Sequence, residues 1–415
     1  MTRYLRAIIL WVTGLAIPCL AASSVAAKDK LVIDFMFSSG QQRTAWFNLV
    51  SAFAKENPDI EVVNDQIVQE NYKRDFSNGL QTKKIDIAFW FAGERLRQFA
   101  KTGMLLPMDD GFAEAVLKPN FVKSTLEAAT VEGSVYGFPI QYYQWGFYYR
   151  KSVFEKLHLK PPTTWDDFIA SCEVLKKAGI SPLAVGAEEA WPAAAWFDYL
   201  NLRINGIDFH RKLLRGTASF DDPRVRRVFV EWKNLLDRDY FLADTMARPW
   251  DSVMPFLYHD RVGMVLMGGF IAAKIPDTLT QDIGFFAFPR YAAGVGTFEE
   301  APLDVLVMPK NGEHHAAAQR FLRYLATSDA LNRFNESLHT VSPLSKAAVG
   351  TDAFARSAKS LLNAATGITL YFDRDATESL VDPAFLAFKK FLLPPHDIDA
   401  AIAAIVSSSR AKTAP

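Results

Sequence analysis

Short runs of β-branched and aromatic residues alternate along this chain with longer stretches in which apolar residues recur every three or four positions. That alternation predicts strands separated by amphipathic helices. LVIDFMF at residues 31–37 reads as the first strand. Residues 43–57 read as a helix with Trp46, Leu49, Val50, Phe53 and Ala54 on one face, stopped by Asn57-Pro58-Asp59. Residues 60–63 form the next strand, so the chain opens with a β-α-β unit, which implies parallel pairing and a right-handed crossover. The same rhythm gives a helix over 72–80, a strand over 85–91, a helix to Ala100 and an extended piece at 105–108. Later come a helix at 165–177, a strand at 180–185 and a helical region over 193–239 broken near Asn205-Gly206 and at 217–223. A helix opens at Arg248-Pro249-Trp250-Asp251 and runs through Leu257. Strands follow at 260–267, 282–288 and 303–308, and a helix at 314–326.

One stretch breaks the rhythm. Residues 136–150 hold eight aromatics in a short apolar run punctuated by Gly137, Pro139 and Gly146. Such density reads as buried strand. A short helix and the Pro161-Pro162-Thr163-Thr164 stop follow it, with Thr164 placed to cap the next helix. This strand is expected to pass from one lobe of a two-lobed protein into the other and to line the cleft between them.

Length supports two lobes, because 415 residues exceed what a single core of ordinary size holds. Lys plus Arg equals Asp plus Glu at 46 each, which leaves no electrostatic case for nucleic acid or an anionic membrane surface. Arg3 and Arg6, an apolar run over 7–20 and the small residues Val25-Ala26-Ala27 read as a secretory signal peptide over residues 1–27, cut before Lys28. The run is short for a membrane span. Of the two cysteines only Cys172 then remains, so neither an internal disulfide nor a thiolate metal cluster is expected, and no cofactor is implied.

In open α/β sheets ligands sit beyond the carboxyl ends of strands, which singles out residues 38–43 and 90–95. Further along, four stretches resemble the extracellular solute-binding proteins of ABC importers, in particular the carbohydrate-binding group that includes the maltodextrin-binding proteins. They are Phe53-Ala-Lys-Glu-Asn-Pro-Asp-Ile-Glu-Val62; the block from Val135-Tyr-Gly-Phe-Pro139 through Tyr148-Tyr-Arg-Lys-Ser-Val-Phe154 to Pro161-Pro-Thr-Thr-Trp-Asp-Asp-Phe168; Gly263-Met-Val-Leu-Met-Gly-Gly-Phe270; and 317–328 followed by Ser342-Pro343. The resemblance implies an α/β periplasmic-binding-protein fold with two discontinuous lobes, 28–138 plus 300–342 and 139–299 plus 343–415. Chain crossings fall near 137–142, 292–302 and 340–344. It also implies hinge closure on a ligand, a monomer in the periplasm, and a membrane permease as partner.

Sugars present apolar ring faces and a rim of hydroxyls, which match aromatic rings and planar polar groups. The aromatics placed at loops are Trp90, Trp145, Trp191, Trp250 and Phe270. By resemblance, Trp90 with Glu94 and Arg95 looks like the maltodextrin branch's Trp followed by Asp-Arg, with one extra residue between. Tyr143 or Gln144 falls where that branch carries a carboxylate, Trp191 near its loop aromatic, and Phe270 replaces a Trp. Asp251 and Arg43 complete the candidate set. Trp46, Trp232, Phe147, Tyr149 and Phe154 read as core and Trp165 as structural, whereas Trp196 stays open between core and cleft. A polyol or glycerol-phosphate ligand is the alternative for the same fold, and a sensor role beside transport stays open. A secreted carbohydrate-active enzyme lacks support: Glu188-Glu189 and Glu299-Glu300 are chain neighbours whose side chains point apart, and no metal motif occurs among the seven histidines.

Overall fold

Buried aliphatic and aromatic runs set the architecture of the computed structural model, which describes residues 28–291, 294–347 and 353–411, with side chains through residue 408. The signal segment 1–27 and the start of the expected 292–302 crossing lie outside the described residues. The strands that carry the architecture are β1 (Asp29–Phe37), β2 (Ile60–Val68), β3 (Ile87–Phe91), β4 (Leu105–Leu106), β5 (Gly137–Tyr142), β6 (Trp145–Arg150), β7 (Ser181–Ala184), β8 (Val262–Gly268), β9 (Ile283–Phe286), β10 (Phe298–Glu300), β11 (Leu303–Pro309) and β12 (Gly367–Thr369).

β1 pairs parallel with β2 and β3. β11 runs antiparallel to β3, β4 and β5, which gives one sheet in the order β2-β1-β3-β11-β4, with β5 also on β11. The second sheet runs β9-β6-β8-β7. β10 and β12 form a small parallel pair of their own.

The aromatic run of residues 136–150 is therefore two strands. β5 ends at Tyr142 in the first sheet and β6 begins at Trp145 in the second, with only Tyr143 and Gln144 between them. Apolar runs cannot show where one sheet gives way to another, because both strands are buried on both faces.

Two apolar cores follow the two sheets. One gathers buried residues within 31–140 and 303–344, the other within 143–288 and 354–405. Trp46, stacked on Phe35 at 3.8 Å, belongs to the first core; Trp196, Trp232, Phe147 and Cys172 belong to the second. Cys172 is fully buried in its helix, and desolvation pushes its thiol pKa up, which makes it packing rather than a nucleophile.

Local chemistry explains the element ends. Ser39 caps the helix Gly40–Glu56 by accepting from Gln42 N, and Thr164 caps Trp165–Lys177 by accepting from Asp167 N. The long helix Trp191–Leu214 breaks at Gly206, whose φ of 79° suits glycine. No described helix is long and apolar enough to cross a membrane.

Candidate functional site

Where the chain passes between the two cores it leaves a cleft that opens to solvent. Its walls come from both sheets. The β1 end contributes Ser38, Ser39 and Gln42; β3 contributes Phe91; the β5–β6 passage contributes Gln141, Tyr143 and Trp145; β11 contributes Asp304. From the other side come Trp191, Phe270 and the segment carrying Tyr371, Asp373 and Arg374, while Lys73 enters from the helix Gln69–Thr82. Ala273, just past Phe270, packs against the core of the first sheet, so the two halves meet at the rim.

The aromatic part is one cluster. Tyr371 stacks on Trp145 with centroids 4.8 Å apart, Trp145 meets Trp191 edge-on at 6.0 Å, and Phe270 touches Tyr143 at 5.3 Å and Trp145 at 6.1 Å. Such rings expose faces at low entropic cost.

The polar part is a buried network. Asp304 accepts from Gln141 Nε2 at 2.6 Å and from Arg374 Nη1 at 3.0 Å. Arg374 also donates to Tyr143 Oη at 2.9 Å and to the Leu303 carbonyl at 3.1 Å, with its guanidinium 4.4 Å from the Phe91 centroid. Burial raises the Asp304 carboxyl pKa, only partly opposed by Arg374 and Gln141. Burial likewise raises Tyr143 and lowers Lys73. Three polar atoms of the wall have no hydrogen-bond partner among the described residues: Gln141 Oε1, Trp145 Nε1 and Trp191 Nε1. They are one acceptor and two donors, buried on residues that line the cleft.

The structure brings four of the expected site residues to the cleft wall: Tyr143, Trp145, Trp191 and Phe270. The others lie elsewhere. Trp90 turns into the core of the first lobe, stacked on Phe76 at 3.6 Å, because β3 is central and covered on both faces. Glu94 points away and pairs with Arg97. Arg95 is spent on Asp373, 2.6 Å away, behind the wall. Gln144 is fully buried, with its carbonyl accepting from Gly269 N at 2.7 Å. Trp250 forms a layer behind the cleft, 5.5 Å from Trp191 and 5.4 Å from Phe270, and Asp251 pairs with Lys274. Arg43 is exposed, lying over Phe37 at 5.6 Å.

Sequence reasoning missed Tyr371, Asp373, Arg374 and Asp304. Only the neighbouring Leu303 strand signal pointed to Asp304, and nothing periodic marks the short Phe372–Asp375 helix. Glu299 and Glu300 do diverge: Glu299 pairs with Arg203, whereas Glu300 faces Asp198.

Two α/β halves around an aromatic and hydrogen-bonding cleft, linked by strands that pass between them, define a two-lobed solute receptor of the periplasmic-binding-protein class. Residues 20–331 match the family model described as bacterial extracellular solute-binding protein, and the chain belongs to that family, the binding components of ABC transporters. An uncharacterised ABC transporter extracellular-binding protein of Pyrococcus horikoshii is 30% identical over 298 residues, covering 70% of this chain and 67% of its own. The multiple sugar-binding protein of Streptococcus mutans is 22% identical over 354 residues, 80% of this chain and 81% of its own. Among solved structures, the bacterial solute receptor AcbH, described as having an exclusive preference for β-D-galactopyranose, superposes with a TM-score of 0.86 at 27% identity, covering 93% of this chain and 99% of its own. A chitin oligosaccharide binding protein superposes at 0.82 with 19% identity, covering 92% and 99%, a likeness of fold.

Proposed function

We propose that this protein captures a neutral sugar in the cleft between its lobes and hands it to an ABC import permease. The carrying observation is the wall itself: a cluster of aromatic faces beside Gln141 Oε1 and two indole N–H groups that are buried without partners. A hydroxyl-rimmed ring satisfies both parts, the faces by stacking and the unpaired groups by hydrogen bonds. In this reading Trp145, Trp191, Tyr371 and Phe270 pack the ring, and Gln141, Asp304, Arg374 and Gln42 read its hydroxyls. AcbH and the streptococcal protein, both named for sugar binding, support the same ligand class.

Charge bookkeeping argues against the glycerol-phosphate alternative. Both described cations that line the cleft have a carboxylate, Arg374 with Asp304 and Lys73 with Glu70 at 3.4 Å, and Arg95 behind the wall is held by Asp373. A phosphate would find no free positive charge there. The lobes divide where the two cores part, between Ile140 and Tyr143, between Phe288 and Leu303, and between Leu344 and Phe354, and closure is a hinge motion about these passages. The mature protein works in the periplasm as a monomer after loss of residues 1–27, and it binds rather than transforms its ligand.

A thermal-shift panel of sugars, polyols and glycerol-phosphate diesters tests the reading, since a ligand of the native state raises the melting temperature. A sugar is expected to do so. Stabilisation by a polyol or phosphodiester with no sugar active would overturn it.

A further inference from the structure

We infer that the cleft accepts a single sugar ring, and that the Tyr371–Asp375 turn is the stop that sets this length; the inference rests on the sugar reading above. The turn stands over the ground that Trp90, Glu94 and Arg95 were expected to open to ligand. It is clamped there to the first lobe. Arg95 Nη2 holds Asp373 Oδ2 at 2.6 Å and Arg95 Nε holds the Asp373 carbonyl at 3.1 Å. Arg374 crosses to Asp304 and the Leu303 carbonyl. Asp375 Oδ2 accepts from Thr369 Oγ1 at 2.8 Å and Leu370 N at 3.1 Å, which fixes the turn internally.

The approach is close enough to need a glycine. A Cβ on Gly93, whose φ is 82°, would lie 2.3 Å from the Arg374 carbonyl oxygen. No path for a chain of sugars remains between the β3 end and the turn.

The aromatics agree with this limit. An extended glycan needs ring platforms spread along a groove, whereas Tyr143, Trp145, Trp191, Phe270 and Tyr371 form one mutually touching group. The face of Phe91, which could have served as another platform, is occupied by the guanidinium of Arg374 at 4.4 Å and that of Arg95 at 5.6 Å. One ring-sized site is left, bounded by charge on one side and indole on the other.

Calorimetric titration of the mature chain with common pentoses and hexoses, and with disaccharides and trisaccharides built from them, tests the inference. A monosaccharide is expected to bind at least about 100-fold more tightly than the trisaccharide that contains it. Arg95→Ala, which frees the clamp without touching the cleft, is expected to narrow that gap by about ten-fold or more, with thermal melting as the check on folding. A trisaccharide bound as tightly as its monosaccharide by the unaltered protein overturns the inference and leaves the sugar reading standing. An unchanged gap in folded Arg95→Ala overturns the role given to the turn. Absence of any sugar binding overturns the sugar reading and this inference with it.

Discussion

Arg374 places its guanidinium 3.0 Å from the Asp304 carboxylate, 70 residues earlier in the chain, and joins the two lobes at the floor of the cleft. Both side chains are nearly fully buried. Such a pair contributes little net stability when intact, yet removal of one partner strands the other charge, at a cost of about 3–5 kcal/mol. Arg374→Met is therefore expected to lower unfolding free energy in urea by that amount. The double variant Arg374→Met with Asp304→Asn should regain part of the loss and still fail to bind ligand. Full stability in Arg374→Met alone would show that the pair is not desolvated.

Trp145 and Trp191 differ in what their loss would do. Trp145 is 2% exposed and wedged among Tyr371, Trp191 and Phe270, so Trp145→Ala opens a cavity costing about 3–5 kcal/mol. Binding data on that variant alone would confound fold with site. Trp191 is only partly buried at the start of its helix. Trp191→Ala is expected to keep the melting temperature within a few degrees and to weaken the ligand by about ten-fold or more, measured by calorimetry. Unaltered affinity in Trp191→Ala would remove this ring from the site.

Behind Tyr371, Asp198 and Glu300 share a fully buried space, and no Lys or Arg among the described residues pairs with either. Burial raises both carboxyl pKa values; Asp198 pushes Glu300 further up, whereas the hydrogen bond from Glu300 partly opposes the rise at Asp198, and Asp373, Asp375 and the Glu299–Arg203 pair are the nearest charged groups. The folded protein thus keeps a proton that the unfolded chain releases near pH 4. Stability is present in full below that pH and declines as pH rises through the window up to the raised folded values. His210, fully buried and lowered to about 3, acts oppositely, removing stability as pH falls from about 6.5 toward 3. Asp198→Asn supplies a permanent donor to Glu300 and should flatten the decline above about pH 5 in melting curves, leaving the acid limb unchanged. An identical slope in both proteins would mean that the pair does not hold the proton.

Some of this was legible in the chain and some was not. The Trp165–Lys177 helix was readable to the residue because Thr164 caps it and Pro161-Pro162 stops what precedes it, both local signals. The β5–β6 passage was readable as buried strand, but its division at Tyr143-Gln144 depends on which distant strands, β11 or β8, each half pairs with. Trp145 and Trp191 were found because loop aromatics beside a crossing have few other uses. Asp373 and Arg374 could not be found, since their meaning lies in Arg95 and Asp304, far off in the chain and on the other lobe.

Trp90 is the sharpest case of a residue with the right type in the right stretch and the wrong side of a strand. All five residues of β3 are buried, so its side chains alternate between two covered faces and neither face is marked as cleft by sequence. Trp90 stacks on Phe76 at 3.6 Å, meets Phe99 edge-on at 5.3 Å and donates its indole N–H to the Arg95 carbonyl at 3.2 Å. Phe91, the next residue, faces the cleft instead. Trp90→Ala is expected to cost about 3–5 kcal/mol of stability as a core cavity. Ligand affinity, measured calorimetrically below the lowered melting point, should stay within about three-fold of the unaltered protein, because Trp90 touches no cleft space. Phe91→Ala should do the reverse in part: it removes the face beneath Arg374 and Arg95, loosens both guanidinium groups and weakens binding. A large affinity loss in Trp90→Ala with little change in stability would return this residue to the site and require β3 to present its other face.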